Sequence, residues 1–155
     1  MLLSDLFTAG DLVVPFDPAD KWSGIQALVQ HVCDSGRLPA ELFDDVLDAV
    51  ISRERSMSTG MEHGVAIPHA AVEGLESVAV AMGLVQAEGG LPFESVDGRP
   101  ARIVVLLIIP RAQKLLHIRT LADVARALSR DELRDELLSA EGAQAAFETL
   151  LRHEG

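Results

Sequence analysis

Seven consecutive aliphatic residues, Ile103-Val104-Val105-Leu106-Leu107-Ile108-Ile109, run into Pro110 in this 155-residue chain. A strand with one wet face alternates apolar and polar residues, so an unbroken run of this kind needs cover on both faces. Helical periodicity on either side of the run supplies that cover. Asp17-Pro18 reads as an N-cap and first-turn pair for a helix carrying Trp22, Ile25, Leu28, Val29 and Val32 to a stop at Gly36, with Trp22 and Cys33 as packing residues. A second helix is expected from Pro39, burying Leu42, Val46, Leu47, Val50 and Ile51 and ending in Arg53-Glu54-Arg55. Residues 12–16 and 78–85 read as further strands, and 93–100 as surface turn chemistry. From about Lys114 the pattern is helical, with breaks near Asp131 and Gly142. The expected fold is α/β, a three-layer sandwich in which helices flank a mixed β-sheet on both faces. The length suits a single domain over residues 1–155.

The charge balance removes several functions. With 24 acidic residues against 13 basic ones, the formal net charge is −11. Such a surface repels phosphate backbones and anionic lipid, so no nucleic-acid partner is expected. The one cysteine, Cys33, excludes an internal disulfide and a multi-cysteine metal site. No apolar run reaches membrane-spanning length and the N-terminus lacks a signal-peptide pattern, so a cytoplasmic chain without membrane insertion is expected.

The chemistry concentrates in Ser58-Thr59-Gly60-Met61-Glu62-His63-Gly64-Val65-Ala66-Ile67-Pro68-His69-Ala70, a small-residue loop leading into a short apolar run that presents a histidine. Proline fixes its own φ and biases Ile67 towards extended backbone, so the imidazole of His69 is aimed. His117 stands in a comparable place, seven residues past Pro110, in the first turns of the helix after the most buried strand. Two histidines at strand ends suit general acid/base work, metal binding or phosphoryl carriage. Three imidazoles, His63, His69 and His117, with a water would satisfy zinc, although the expectation is no metal.

Gly64-Val65-Ala66-Ile67-Pro68-His69-Ala70 resembles the signature around the phosphorylated histidine of enzyme IIA domains of the fructose, mannitol and nitrogen-regulatory type, from the phosphoenolpyruvate-dependent phosphotransferase system. Arg53, sixteen residues before His69, matches the arginine of an Arg-Glu group before the Ser-Thr-Gly loop, and Phe93 with Asp97-Gly98 and Pro100 resembles a Phe-x-x-x-Asp-Gly-x-Pro segment. The spacing from Pro110 to His117 resembles that to a second active-site histidine. The resemblance implies a phosphotransferase that takes a phosphoryl group from phosphorylated HPr on His69, at Nε2. It then passes the group to a sugar-permease EIIB component or signals to a regulatory target protein. His117 is then a donor to the phosphoryl oxygens and Arg53 the balancing cation, with Ser58 and Thr59 adding neutral hydrogen bonds and no cofactor required. A standalone regulator of the nitrogen-regulatory kind is the favoured expectation; the alternatives are a permease component and a non-transferring binding module. Glu62-His63 departs from the Gly-Asn common in the family, which makes His63 an expected modulator of the phosphoryl site.

Overall fold

The computed structural model describes residues 2–154. In chain order its elements are α1 (Leu3–Leu6), β1 (Leu12–Val13), α2 (Lys21–Asp34), α3 (Phe43–Ser56), β2 (Val65–Ala66), β3 (His69–Val72), β4 (Ala79–Leu84), β5 (Ile103–Pro110), α4 (Lys114–Ala127), α5 (Asp131–Leu138) and α6 (Ala143–Glu154). The sheet order is β1-β4-β5-β2, with β3 following β2 along the same side of β5. β4 and β5 are antiparallel and the other pairings parallel, so the sheet is mixed.

The apolar run becomes β5, and every one of its residues is buried. Its side chains alternate between two layers, as the pleat requires. Val104, Leu106 and Ile108 meet Ile25, Leu28 and Val29 of α2 and Val46 and Val50 of α3. Ile103, Val105, Leu107 and Ile109 meet Val124 of α4, Leu133 and Leu137 of α5, and Leu150 of α6. These are the two helical layers of the expected three-layer sandwich. No helix among the described residues is long and apolar enough to cross a membrane.

Several local expectations are corrected. The first long helix begins at Lys21 rather than at Pro18, because Asp20 is the N-cap: its carboxylate accepts from the Ser23 N–H at 2.8 Å, and the Ser23 hydroxyl faces the Asp20 N–H in return. Trp22 is 39% exposed, with the Lys21 ammonium 4.9 Å and the Arg55 guanidinium 5.7 Å from its ring centroid. Its place in the apolar series is one turn too early: Gly24 and Ile25 are the first apolar positions of α2 that turn inward. The strand expected over 12–16 is regular only at β1, although Phe16 N–H still donates to the Leu84 carbonyl at 2.8 Å. The helix expected from Pro39 starts with a 3-10 turn, Ala40–Leu42, before α3. Phe93, read as part of a surface turn, is buried at 7% exposure. The two breaks in the C-terminal helical region fall where expected, before α5 and α6.

Gly83 lies on β4 beneath the Phe16 ring, where a Cβ would stand 2.4 Å from Phe16 Cδ2. Such overlap forces an off-rotamer ring or a backbone shift. Gly83→Ala is therefore expected to lower unfolding stability by about 2 kcal/mol, and Gly83→Ala combined with Phe16→Leu to recover part of it, read from urea denaturation midpoints. Equal stability of Gly83→Ala and the parent would contradict this packing.

Candidate active site

His69 opens β3, paired in parallel with Leu107 of β5. Its ring is half-buried, and Nδ1 lies 2.7 Å from the Ile67 carbonyl oxygen. A carbonyl only accepts, so Nδ1 carries the proton and Nε2 is left with the free lone pair of the neutral ring. His117 is the fourth residue of α4; its ring centroid lies 5.5 Å from that of His69, edge-on at 73°. The two histidines singled out by their positions after prolines are thus neighbours.

A cavity of about 480 Å³ lies beside His69, lined by Arg53, Ser58, Thr59 and Gly60 on one side. Its apolar wall includes Ile118, Leu121, Ala122 and Ala125, which recur at i, i+3, i+4 and i+7 on α4. Arg53 donates from Nη1 to the Met57 carbonyl at 2.8 Å and makes no ion pair among the described residues. Burial is the main influence on His69 and lowers its pKa below the ordinary histidine value. The Ile67 hydrogen bond opposes that shift, the charges of Arg53 and His117 reinforce it, and Glu54 opposes it.

The remaining expected residues are placed differently. The Ser58 hydroxyl donates to the Glu94 carbonyl at 2.6 Å, and the Thr59 hydroxyl donates to Glu54 Oε1 at 2.5 Å. Both line the cavity, but their protons are committed to protein acceptors. The loop is tight here: a Cβ on Gly60 would stand 2.1 Å from the Glu94 carbonyl oxygen. His63 is not part of the His69 cavity wall. It occupies left-handed backbone, φ 64°, with its N–H donating to Asp97 Oδ2 at 2.8 Å and Nε2 3.7 Å from Glu62 Oε2. Among non-glycine residues, asparagine, aspartate and histidine are the ones enriched in that region. The zinc trio does not assemble: among the described residues no three His, Cys, Asp or Glu side chains are grouped to hold a metal.

Two contributors escaped the sequence reading. Glu54 is fully buried and Lys21 is 8% exposed by side chain, with Nζ 3.0 Å from Glu54 Oε2. Glu54 also accepts the Thr59 N–H at 2.8 Å, so one carboxylate ties α2 to the loop beside His69. Nothing in the sequence couples positions 21 and 54. The apolar stripe of α4 was legible as a period, but the buried Val124 and Leu128 adjoin it at i+3 and i+7 from Leu121, so the exposed and buried apolar faces merge in the sequence.

Comparisons with known proteins bear on the family and the fold. The profile of the family described as phosphoenolpyruvate-dependent sugar phosphotransferase system, EIIA 2, matches residues 6–153. The fructose-specific EIIA component of Haloferax volcanii is 31% identical over 133 residues, 86% of this chain and 84% of that protein. A nitrogen regulatory protein of Pseudomonas aeruginosa is 27% identical, covering 96% of this chain and 94% of that one. Among solved structures, nitrogen regulatory protein IIA-Ntr of Neisseria meningitidis superposes with a TM-score of 0.82 at 22% identity, over 96% of this chain and 98% of that one. Enzyme IIA-mannitol in its complex with phosphorylated enzyme IIB-mannitol of Escherichia coli gives a TM-score of 0.76 at 18% identity, over 94% and 97%. Matched by the family profile over residues 6–153 and sharing the fold of solved enzyme IIA structures, the chain belongs to the type 2 enzyme IIA family of the phosphoenolpyruvate-dependent phosphotransferase system, and is a phosphotransferase component of that relay.

Proposed function

We propose that this chain, acting as one cytoplasmic domain, accepts a phosphoryl group on His69 Nε2 from a phosphorylated HPr-like carrier and delivers it to a second protein. The observation that carries the reading is the Nδ1 contact with the Ile67 carbonyl, which leaves Nε2 as the nucleophile next to a cavity holding Arg53 and beside His117. The Nε2 lone pair attacks phosphorus as the N–P bond of the donor breaks and its electron pair returns to the donor imidazole. The neutral ring is the reactive form, and the depressed pKa of His69 keeps it neutral. Arg53 supplies positive charge, and Arg53 and His117 supply N–H groups, to the equatorial oxygens, whose stabilisation is most of what phosphoryl transfer asks of a protein. No metal or other cofactor enters this scheme.

Glu54 is a positioning residue in it. Its carboxylate holds Thr59 by N–H and hydroxyl, and through Thr59 the loop that walls the cavity. Partner docking falls to apolar surface: Ile118 is 67% exposed at the cavity, and Leu115, 77% exposed, lies one turn before it on α4. The similarity to a fructose-specific EIIA component supports delivery to an EIIB-type permease protein. The similarity to a nitrogen regulatory protein over nearly the full length of both chains supports a signalling role, in which the phosphoryl charge on His69 is read by a target protein.

Intact-mass measurement after incubation with phosphoenolpyruvate, enzyme I and HPr is expected to show one acid-labile phosphoryl group on the wild type and none on His69→Ala. His117→Ala is expected to be labelled still, but to pass the group on about 100-fold more slowly; labelling of His69→Ala would move the acceptor elsewhere. The rate of acceptance is expected to hold constant from neutral pH down to about 6.5, the ordinary histidine value. It should fall only as pH drops further, through the lowered pKa of His69, and an inflection at pH 7 or above would oppose this. Glu54→Gln leaves buried Lys21 with only the exposed Glu94 carboxylate, 3.7 Å away, as counter-charge, and is expected to cost about 3 kcal/mol of stability while moving the His69 NMR titration to lower pH. Lys21→Met combined with Glu54→Gln should recover part of the stability, and an unmoved titration in both variants would remove Glu54 from the site.

A further inference from the structure

A separate cavity, of about 260 Å³, shares no lining residue with the cavity at His69, and His63, Arg99, Arg102, Arg134 and Asp135 line it. In a chain with 13 Lys and Arg against 24 acids, three arginines converge on this one small cavity; Asp97 stands beside Arg99, Asp131 pairs with Arg134 and Asp135 lines the wall, which leaves Arg102 as the one of the three without an ion pair among the described residues. The existing partners of Arg99 and Arg102 leave those two able to take a ligand, with Arg134 as a fixed part of the wall. Arg102 is bonded only to carbonyls, Nε to Val85 at 3.2 Å and Nη2 to Gln86 at 3.1 Å, and faces no carboxylate among the described residues. Arg99 is largely exposed, and its Nε lies 3.7 Å from Asp97 Oδ2, too long for a firm hydrogen bond. Arg134 is nine-tenths buried by side chain and anchored to the Leu128 carbonyl and to Asp131. A guanidinium held on carbonyls keeps its full positive charge and a rigid fork of donors matched to phosphate or carboxylate oxygens.

We propose that this cavity is a binding site for a small polyanion carrying phosphoryl or carboxylate groups, separate from the site at His69. Its volume lies below the range of about 300 Å³ upward typical of pockets for larger organic ligands, which selects inorganic phosphate, a short phosphorylated acid or a di- or tricarboxylate over a nucleotide. The cavity wall is continuous with the site loop. Arg102 N–H and Ile103 N–H both donate to the Gly64 carbonyl, at 2.7 and 3.0 Å, five residues before His69, and Asp97 accepts from the His63 and Arg99 N–H groups. A ligand that pulls on Arg99 and Arg102 therefore acts on the backbone that leads into β2 and His69.

This assignment is independent of the phosphocarrier reading, and its test uses binding alone. Uniformly ¹⁵N-labelled protein is titrated separately with inorganic phosphate and with citrate, and the amide signals are followed. The expected result is movement of the Gly64, Arg99 and Arg102 signals with at least one probe. Affinity should weaken about tenfold in Arg99→Gln and in Arg102→Gln, the loss of one charge-assisted hydrogen bond, tighten in Asp135→Asn, and stay unchanged in Arg53→Gln. Arg99 is exposed, so Arg99→Gln keeps the test informative if Arg102→Gln does not fold. The tighter of the two probes identifies whether phosphoryl or carboxylate ligands are preferred. Signal changes confined to the surroundings of His69 and abolished by Arg53→Gln would overturn the proposal, as would the absence of any shift with either probe, or affinities untouched by the arginine and Asp135 variants.

Discussion

The structure depends on how the backbone of β5 is paired, because a strand buried on both faces has no water to take its N–H and C=O groups. On one side β4 pairs continuously from Ala79 to Leu84. On the other the partner is broken: β2 covers Ile103 and Val104, β3 covers Leu107 to Pro110, and Ile67-Pro68 lies between. Proline has no N–H to give, and the Ile67 N–H turns away to the Thr59 carbonyl at 3.2 Å. The Ile67 carbonyl is left outside the ladder and accepts from His69 Nδ1, while the Pro68 carbonyl rejoins it by accepting from Leu107 N–H at 3.1 Å. The interruption that proline forces is thus also what fixes the tautomer and direction of the imidazole.

Around that ring the charges are arranged by burial more than by number. Glu54 is inaccessible to solvent, and its cost is offset by Lys21 and by two hydrogen bonds from Thr59. Because Lys21 takes the carboxylate of Glu54, Arg53 is free of it, although Arg53 and Glu54 are adjacent in sequence. Arg53 therefore faces the cavity with its charge uncompensated, which helps hold the imidazole neutral and favours a bound phosphoryl group.

Much of this was legible in the chain. The continuity of 103–109 determined the two-sided sheet, the 3.6-residue periods located α2, α3 and the C-terminal helices, and the two prolines located the histidines. What escaped depended on side-chain contacts that no period announces. Asp17-Pro18 and Asp20 are both plausible caps, and only Ser23, reciprocating from the third helical position, decides between them. Ser58 and Thr59 looked like free hydroxyls because their acceptors, Glu94 and Glu54, are brought in by the fold. His63 sits six residues from His69, yet its left-handed backbone and the hydrogen bond to Asp97 hold it outside the His69 cavity wall. β2 and β3 were too short to register as strands, since two and four residues carry no period.

On the proposed function, the net charge of −11 and the acceptance of a doubly charged phosphoryl group at His69 are reconciled by distance. At physiological ionic strength exposed charges are screened over about 8 Å, so the acids spread over the remaining surface contribute little at His69. Arg53 and His117 act within the half-buried site, where screening is weak. In the same proposal the acidic surface governs encounter, favouring a partner with basic groups around its own reactive centre. The proposed contact is exposed Ile118 and Leu115, side chains that carry no charge to oppose the transfer and that exclude water once covered. The proposed division of labour is then that long-range charge selects the partner, apolar contact dries the junction, and the arginine and histidine pair stabilises the group in transit.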